Sequence, residues 1–332
     1  YISQSRNYCV YQPGKSLLIK TTGVFNPSDA TAVSRIGYYD TVAGTPPTVK
    51  NGVYLEFAGG VPYLCITDNG AAAVRVAQTS WNLDTMNGNG TSGLSLDFTK
   101  TQLFVMDLEW LGVGRLRFGF YAYGRPHYCH QVLNINTLTA PYMQTANLPL
   151  GMCVYGTAVG TSASVTQICG TVISEGGYNP VGHPFSVSSP STAVPNAETL
   201  ILALRGGATG YYHQLIVPTG LSLIDEKNNN TLRYRLRFYP AGTAPNGSGV
   251  ITWTNVNATY SLCQYATNTD VPSFTTTGSI VFDTNFFLGK GSNVLSDLSS
   301  VFNAQLTDLT SNISGVADIL VLTCERLNSG AT

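Results

Sequence analysis

Apolar residues recur at every second position through much of this chain, and a period of two belongs to strands whose side chains alternate between two faces. In "FVMDLEWLGVGRLRFGF", Phe104 to Phe120, the residues Phe104, Met106, Leu108 and Trp110 share one face, while Val105, Asp107 and Glu109 take the other. After a glycine-flanked break, Leu116, Phe118 and Phe120 are apolar and Arg115 and Arg117 are polar. A three-residue loop, Leu111 to Val113, sets Glu109 opposite Arg115, Asp107 opposite Arg117, Leu108 opposite Leu116 and Phe104 opposite Phe120, so both faces match. A two-residue loop would oppose Glu109 to Leu116 and mix the faces along the whole strand. The four charges therefore read as a structural pairing that holds register, with Trp110 on the buried face. Each pair contributes only about a few tenths of a kcal/mol, so the apolar face supplies most of the stability.

Runs of the same kind recur between Gly, Pro, Asn and Asp clusters, among them "SLLIKTTGVF", "GVYLEF", "VPYLCIT", "TLILALR" and "LRYRLRFY". Their spacing predicts an all-β fold, an antiparallel sandwich in two packed lobes. In "LRYRLRFY", Leu232, Tyr234, Leu236 and Phe238 face in and Arg233, Arg235 and Arg237 face out. A Pro-, Gly- and Ser-rich stretch, Gly176 to Asn196, predicts a linker over 177–196 between an N-terminal lobe (1–176) and a C-terminal lobe (197–332). One segment departs from period two. From Ser292 to Gly315, Leu295, Leu298, Phe302, Leu306, Leu309 and Ile313 recur at steps of three and four, which predicts an amphipathic helix over 293–314. Its stripe of Leu298, Phe302, Leu306 and Leu309 is expected to bind a partner, in a groove of a neighbouring subunit.

Composition sharpens this picture. Only 11% of the 332 residues are Asp, Glu, Lys or Arg, against about 25% in an ordinary soluble domain. From Gln131 to Ser174 there is no acid or base at all. A surface so poor in charge and rich in Tyr, Asn and Thr suits a subunit of an assembly better than a free enzyme. The net charge of -1 gives no electrostatic footprint for nucleic acid, and no window has the apolar length of a membrane span, so a soluble protein is expected. The chain begins at Tyr1 without methionine, as after processing or from an internal start. Seven cysteines without paired spacing argue for mostly free, buried thiols.

Two stretches resemble chemical motifs by letter alone. "GNGTSG", Gly88 to Gly93, matches a dinucleotide fingerprint but lacks the strand-to-helix context that gives the fingerprint its mechanism, and so reads as a surface turn. "HYCH" holds His127, Cys129 and His130, yet alternation puts His130 opposite the other two and no second ligand cluster completes a zinc site. No catalytic residue, cofactor or metal is expected, and no enzymatic activity. Five Asn-x-Ser/Thr sequons, at Asn89, Asn229, Asn246, Asn257 and Asn312, are what chance gives in so Asn- and Thr-rich a chain.

The succession "YCVYQPGKSLL", "WNLDTMNGNGTSGLSLDFTKTQLFVMDLEWLGVGRLRFGF", "YCHQVLNIN", "NLPLGMCVY" and "QICGTVISEGGY" resembles a family of virion structural proteins of large double-stranded DNA viruses and tailed phages. Later stretches, "LILALRGGATGYYHQLIVPTGLSLI", "LRYRLRFYPAGTA" and "ITWTNVNATYSL", are similar to that family's second half. The most specific part is the W-N-x-D…SG-x-x-LD…E-W-LG-x-G block, Trp81 to Gly114. The resemblance implies a jelly-roll or lectin-like sandwich located in the virion, a homo-oligomer in contact with other virion proteins including the major capsid protein. A host glycan is the alternative partner, as for a carbohydrate-binding attachment protein. The segment Ser292 to Gly315 looks additional to the family pattern.

Overall fold

The structure, a computed structural model, describes residues 1–5, 8–42, 44, 46–177, 183–207, 216–225, 231–288, 293–298, 309 and 316–327. The chain divides into two compact units, Tyr1–Val181 and Gly182–Thr332. The first contains β1 (Ile2–Gln4), β2 (Leu17–Val24), β3 (Ala32–Val42), β4 (Thr48–Ala58), β5 (Val61–Asp68), β6 (Ala71–Ala77), β7 (Gln102–Leu108), β8 (Leu116–Ala122), β9 (Arg125–Val132), β10 (Leu150–Gly156) and β11 (Thr166–Ser174). The second contains β12 (Thr199–Gly206), β13 (Gly220–Ile224), β14 (Thr231–Tyr239), β15 (Thr254–Asn255), β16 (Cys263–Thr267), β17 (Ile280–Leu288), β18 (Asn293–Asp297) and β19 (Ile319–Arg326). Among the described residues every strand pairing is antiparallel, in agreement with the expected antiparallel all-β fold. Among the described residues the helical content is one 3-10 turn, Gln78–Ser80, and no helix is long and apolar enough to cross a membrane.

The first unit is a sandwich of a six-stranded sheet, in order β1-β10-β3-β4-β5-β6, and a five-stranded sheet, in order β11-β2-β7-β8-β9. Alternation supplies the core: Phe104, Met106, Leu108 and Phe118 of one sheet are fully buried with Val53, Leu55, Leu64 and Ile66 of the other. The outer face of the six-stranded sheet is also closed. Tyr39 is fully buried there, lying over Gly52 and Gly151, where an added Cβ would approach its atoms to 2.1 and 2.9 Å. Beside it Glu56 accepts from Arg35 at 2.7 Å and Arg75 at 2.9 Å, and Arg75 stacks 3.5 Å from the Tyr63 ring centre. Glycine makes room on this face and tyrosine fills it.

The second unit is built on a six-stranded sheet, β15-β16-β12-β19-β14-β17, and a two-stranded ribbon, β13-β18. On one face Leu232, Tyr234, Leu236 and Phe238 are buried as alternation predicts, in a cluster that includes Leu298 and Leu309 and, partly buried, Leu221 and Leu223 of β13. The opposite face buries Leu200, Tyr239 and Val321 beneath Val271, Trp253 and Phe274. The end of the Gly176 to Asn196 stretch is held to this unit, since the Arg326 N–H donates to the Pro195 carbonyl at 2.9 Å and Arg326 Nε donates to Asn196 Oδ1 at 2.7 Å.

The helix expected over 293–314 is corrected at its start. Asn293–Asp297 is strand β18, paired with β13 so that Val294 meets Leu223 and Ser296 meets Leu221. Leu298 N–H then donates to the Thr219 carbonyl at 3.0 Å and Leu309 N–H to the Ile216 carbonyl at 3.2 Å. Ser, Asn and Asp are weak helix formers, and a pairing partner in "GLSLI" outweighs a local spacing of three and four. Leu298 and Leu309 are therefore buried in their own unit rather than presented to a neighbour. Phe302 and Leu306 lie outside the described residues.

Candidate functional site

The β7–β8 hairpin has the register that alternation demands, with Phe104 opposite Phe120, Asp107 opposite Arg117 and Leu108 opposite Leu116. Beyond the ladder the Glu109 N–H donates to the Arg115 carbonyl at 3.0 Å, and Arg115 donates to Glu109 Oε1 at 2.5 Å. Gly114 N–H closes the loop onto the Trp110 carbonyl at 2.7 Å. Trp110 is half-buried, packed against the core and edge-on to Tyr11 at 5.2 Å. Asp107 is more deeply placed than its solvent-side period suggests. Its carboxylate accepts from Arg117 and from the Tyr128 hydroxyl at 3.3 Å, while the Arg117 guanidinium lies 4.1 Å from the Tyr128 ring centre. These charges are a framework, and through Tyr128 they lead to a cleft.

That cleft is assembled by the segment following the 3-10 turn. Trp81 is buried and stacks on Phe120 at 6.2 Å, which lays the next residues along the open edge of β9. Asn82 acts as a side-chain rung: its amide donates to the Gln131 carbonyl at 2.8 Å and its Oδ1 accepts from the Gln131 N–H at 2.9 Å. The N–H groups of Leu83 and Asp84 both donate to the Cys129 carbonyl at 3.0 Å. Asp84 then organises "GNGTSG". Its Oδ1 accepts from the Met86 N–H at 2.7 Å, and its Oδ2 from the Ser92 N–H at 2.7 Å and the Thr91 hydroxyl at 3.3 Å. Burial alone would raise the Asp84 pKa, but these hydrogen bonds, led by those from Ser92, hold it below the ordinary carboxylate value. The turn expected at Gly88 to Gly93 is present, built on an aspartate clamp.

"GNGTSG" and "HYCH", far apart in sequence, thus face one another. An open cleft of about 590 Å³ is lined by Asp84, Thr91, Ser92, Tyr123, Arg125, Pro126, His127 and Tyr128. In "HYCH" a bulge opposite Phe118 and Gly119 breaks strict alternation. Cys129 is fully buried and donates to the Phe118 carbonyl at 3.3 Å. His130 is buried too, its Nδ1 accepting from the Asn82 N–H at 3.1 Å, and burial lowers its pKa. His127 turns into the cleft instead, with Nε2 buried and without a hydrogen-bond partner in the protein. Among the described residues no three His, Cys, Asp or Glu side chains stand together as a ligand set.

Alternation gave no warning of Tyr123. It and Gly124 form the tip of the β8–β9 hairpin with φ of 52° and 75°, the pattern of a two-residue turn that favours Asn-Gly. A tyrosine held in the left-handed region costs about 1 kcal/mol. The residue is 87% exposed, and its ring stands edge-on to His127 at 6.5 Å. The cleft therefore offers aromatic rings, the Thr91 and Ser92 hydroxyls and the Arg125 guanidinium, while its carboxylate is occupied by the loop's own donors. Such groups can stack on and hydrogen-bond to a polar ligand.

The arginine stripe of β14 is ion-paired rather than open. Glu198 accepts from Arg235 at 2.9 Å, from Arg237 at 2.6 Å and from the Thr323 hydroxyl at 2.5 Å, and Glu325 accepts from Arg233 and from Arg235 at 3.0 Å. All seven cysteines are free thiols. Burial pushes Cys9 and Cys263 up to about 11 and Cys324 to about 12, and Cys169 is the exposed one.

No protein-family model matches the sequence, and no curated protein matches it. Among solved structures, the chain is similar to a β-glucanase of Bacillus licheniformis at 13% identity and a TM-score of 0.29, over 49% of this chain and 67% of that one.

Proposed function

We propose that the chain is a structural component of a virion, a minor capsid or surface component that works through contacts with further copies of itself and with other virion proteins, including the major capsid protein. The resemblance of its sequence blocks, in order, to virion structural proteins supports this reading, and the observation that carries it is β11. That edge strand has no charged residue, exposes Ile168 and Ile173 (61% and 40%), and ends the uncharged stretch from Gln131. Isolated proteins blunt such edges, whereas a subunit uses them. The test is quantitative mass spectrometry on washed, intact particles from a culture that produces the protein. A fixed copy number per particle is expected. Absence from the particles overturns the reading.

Tyr123 favours a second reading, attachment to a host glycan at the cleft. A strained, exposed aromatic beside His127, Tyr128 and two hydroxyls is the kind of platform that stacks on a sugar face. A glycan array with the wild type and Tyr123→Asn tests it. Saturable binding that the variant loses is expected, together with a gain of about 0.5–1 kcal/mol in stability because asparagine suits the turn. A blank array overturns this second reading and leaves the first untouched.

A further inference from the structure

Among the described residues the first unit has four sheet edges, and three of them are blunted. β1 is only three residues long. β6 carries Arg75 and pairs with β5 through a bulge. β9 carries Arg125 and Pro126 and is covered by Trp81 to Asp84 through the Asn82 rung. The fourth edge, β11, has nine residues with neither charge nor proline, and its bulge is confined to the end near Gln167 and Cys169. Short length, charge, proline and cover are the usual protections of an edge strand, and here they are absent from one edge of four.

The direction of the backbone groups on that edge follows from the ladder to β2. Glu175 N–H donates to the Ser16 carbonyl at 2.8 Å, continuing the register in which Ile173 meets Leu18 and Thr171 meets Lys20. In an antiparallel pair both groups of alternate residues point to the same side. Ile173 and Thr171 therefore bond β2, while Gly170, Val172 and Ser174 direct N–H and C=O outward. The Ser174 carbonyl already accepts from the Gly177 N–H at 3.1 Å. Among the described residues the outward N–H and C=O groups of Gly170 and Val172 have no backbone partner.

We propose that β11 pairs with β11 of a second copy, antiparallel about a two-fold axis at Thr171, joining the two five-stranded sheets edge to edge. The inference rests on the reading of the chain as an assembly subunit and specifies one of its contacts. Pairing Gly170 with Val172 of the second copy, and the reverse, satisfies all four open groups of each pair of residues reciprocally. The same register sets exposed Ile173 against Cys169 of the second copy and Thr171 against its own counterpart. No like charges oppose one another. Lys20, opposite Thr171, lies one strand in and is turned over the Tyr121 ring, 5.0 Å from its centre.

The register is tested with Thr171→Cys in a Cys169→Ser background. Thr171 meets its counterpart at a non-hydrogen-bonded site, where Cα atoms stand about 4.5 Å apart, within disulfide reach. Mild oxidation of purified protein should give a covalent dimer on a non-reducing gel, while Cys169→Ser alone stays monomeric there. Thr171→Lys, which sets two cations face to face, should weaken the dimer at least about tenfold in sedimentation equilibrium. Wild-type hydrogen exchange provides a readout free of substitution: the Gly170 and Val172 amides should gain protection as concentration rises, with Thr171 protected throughout. A wild type that stays monomeric with these two amides exchanging freely at high concentration overturns the proposal. If such a protein is nonetheless found in particles, the edge pairing falls and the structural reading stands; if it is absent from them, both fall.

Discussion

Gly90 and Asp84 approach so closely that a Cβ on Gly90 would stand 1.8 Å from the Asp84 Oδ1. The carboxylate receives Met86, Thr91 and Ser92 from one side, and the bare Cα of Gly90 closes the other. Gly90→Ala must push the carboxylate off those donors. A loss of about 1–3 kcal/mol is expected, measured by urea unfolding.

The two ion pairs of the β7–β8 hairpin should differ in weight. Glu109 and Arg115 are 41% and 35% exposed, so solvent screens them, and removing both changes stability by no more than about 0.5 kcal/mol. Asp107 is 8% exposed and serves both Arg117 and Tyr128. Asp107→Ala should cost about 1–3 kcal/mol by leaving those donors without their acceptor. Equal effects from the two sites would refute this ranking.

His130 predicts an acid-side loss of stability. Burial sets its folded pKa below the ordinary 6.5. Between the two values the unfolded chain binds a proton that the folded chain does not, so stability is lost as pH falls through 6.5 toward the folded pKa. Protonation would also place a proton on the Nδ1 that accepts from Asn82. His130→Asn, which keeps an acceptor but does not titrate, should flatten this part of the curve when urea midpoints are compared at about pH 7.5 and about pH 5.

The β14 stripe should acquire polyanion affinity only when its acids are removed. Glu198 and Glu325 together engage all three arginines. The wild type is expected to pass through a heparin column at moderate salt, and the Glu198→Gln, Glu325→Gln double variant to be retained. Retention of the wild type would show the stripe to be an open cationic surface after all.

The hairpin was legible because its two faces differ in polarity, and only one loop length keeps Phe104, Leu108, Leu116 and Phe120 together. The burial of Asp107 was not, since it depends on Tyr128 and Arg117 folding over the outer face, which period two does not encode. The cleft was legible only as two unrelated motifs. What joins them is Asn82, a polar loop residue whose side chain substitutes for a strand, and no pattern of hydrophobicity marks such a residue. Tyr123 left a trace in the dipeptide Tyr-Gly between two strands, a turn signal with an unusual first member. At Asn293–Asp297 a helical spacing was overruled by β13, a partner more than 60 residues away in the chain, and tertiary pairing of that kind lies beyond local pattern.

Among the described residues one sheet edge of the first unit, β11, is unprotected, and this limits the kind of object the unit can build by itself. A bond that turns a strand onto its own copy is closed by the first partner, so it has a valence of one: it makes pairs and then stops. On the six-stranded sheet's outer face Tyr39 is buried and Glu56 pairs with Arg35 and Arg75. A continuous shell or fibre would need a second, head-to-tail bond made by loops or by the other unit. On the proposed pairing, the unit added at each step of growth is two chains, and extension waits on that second bond.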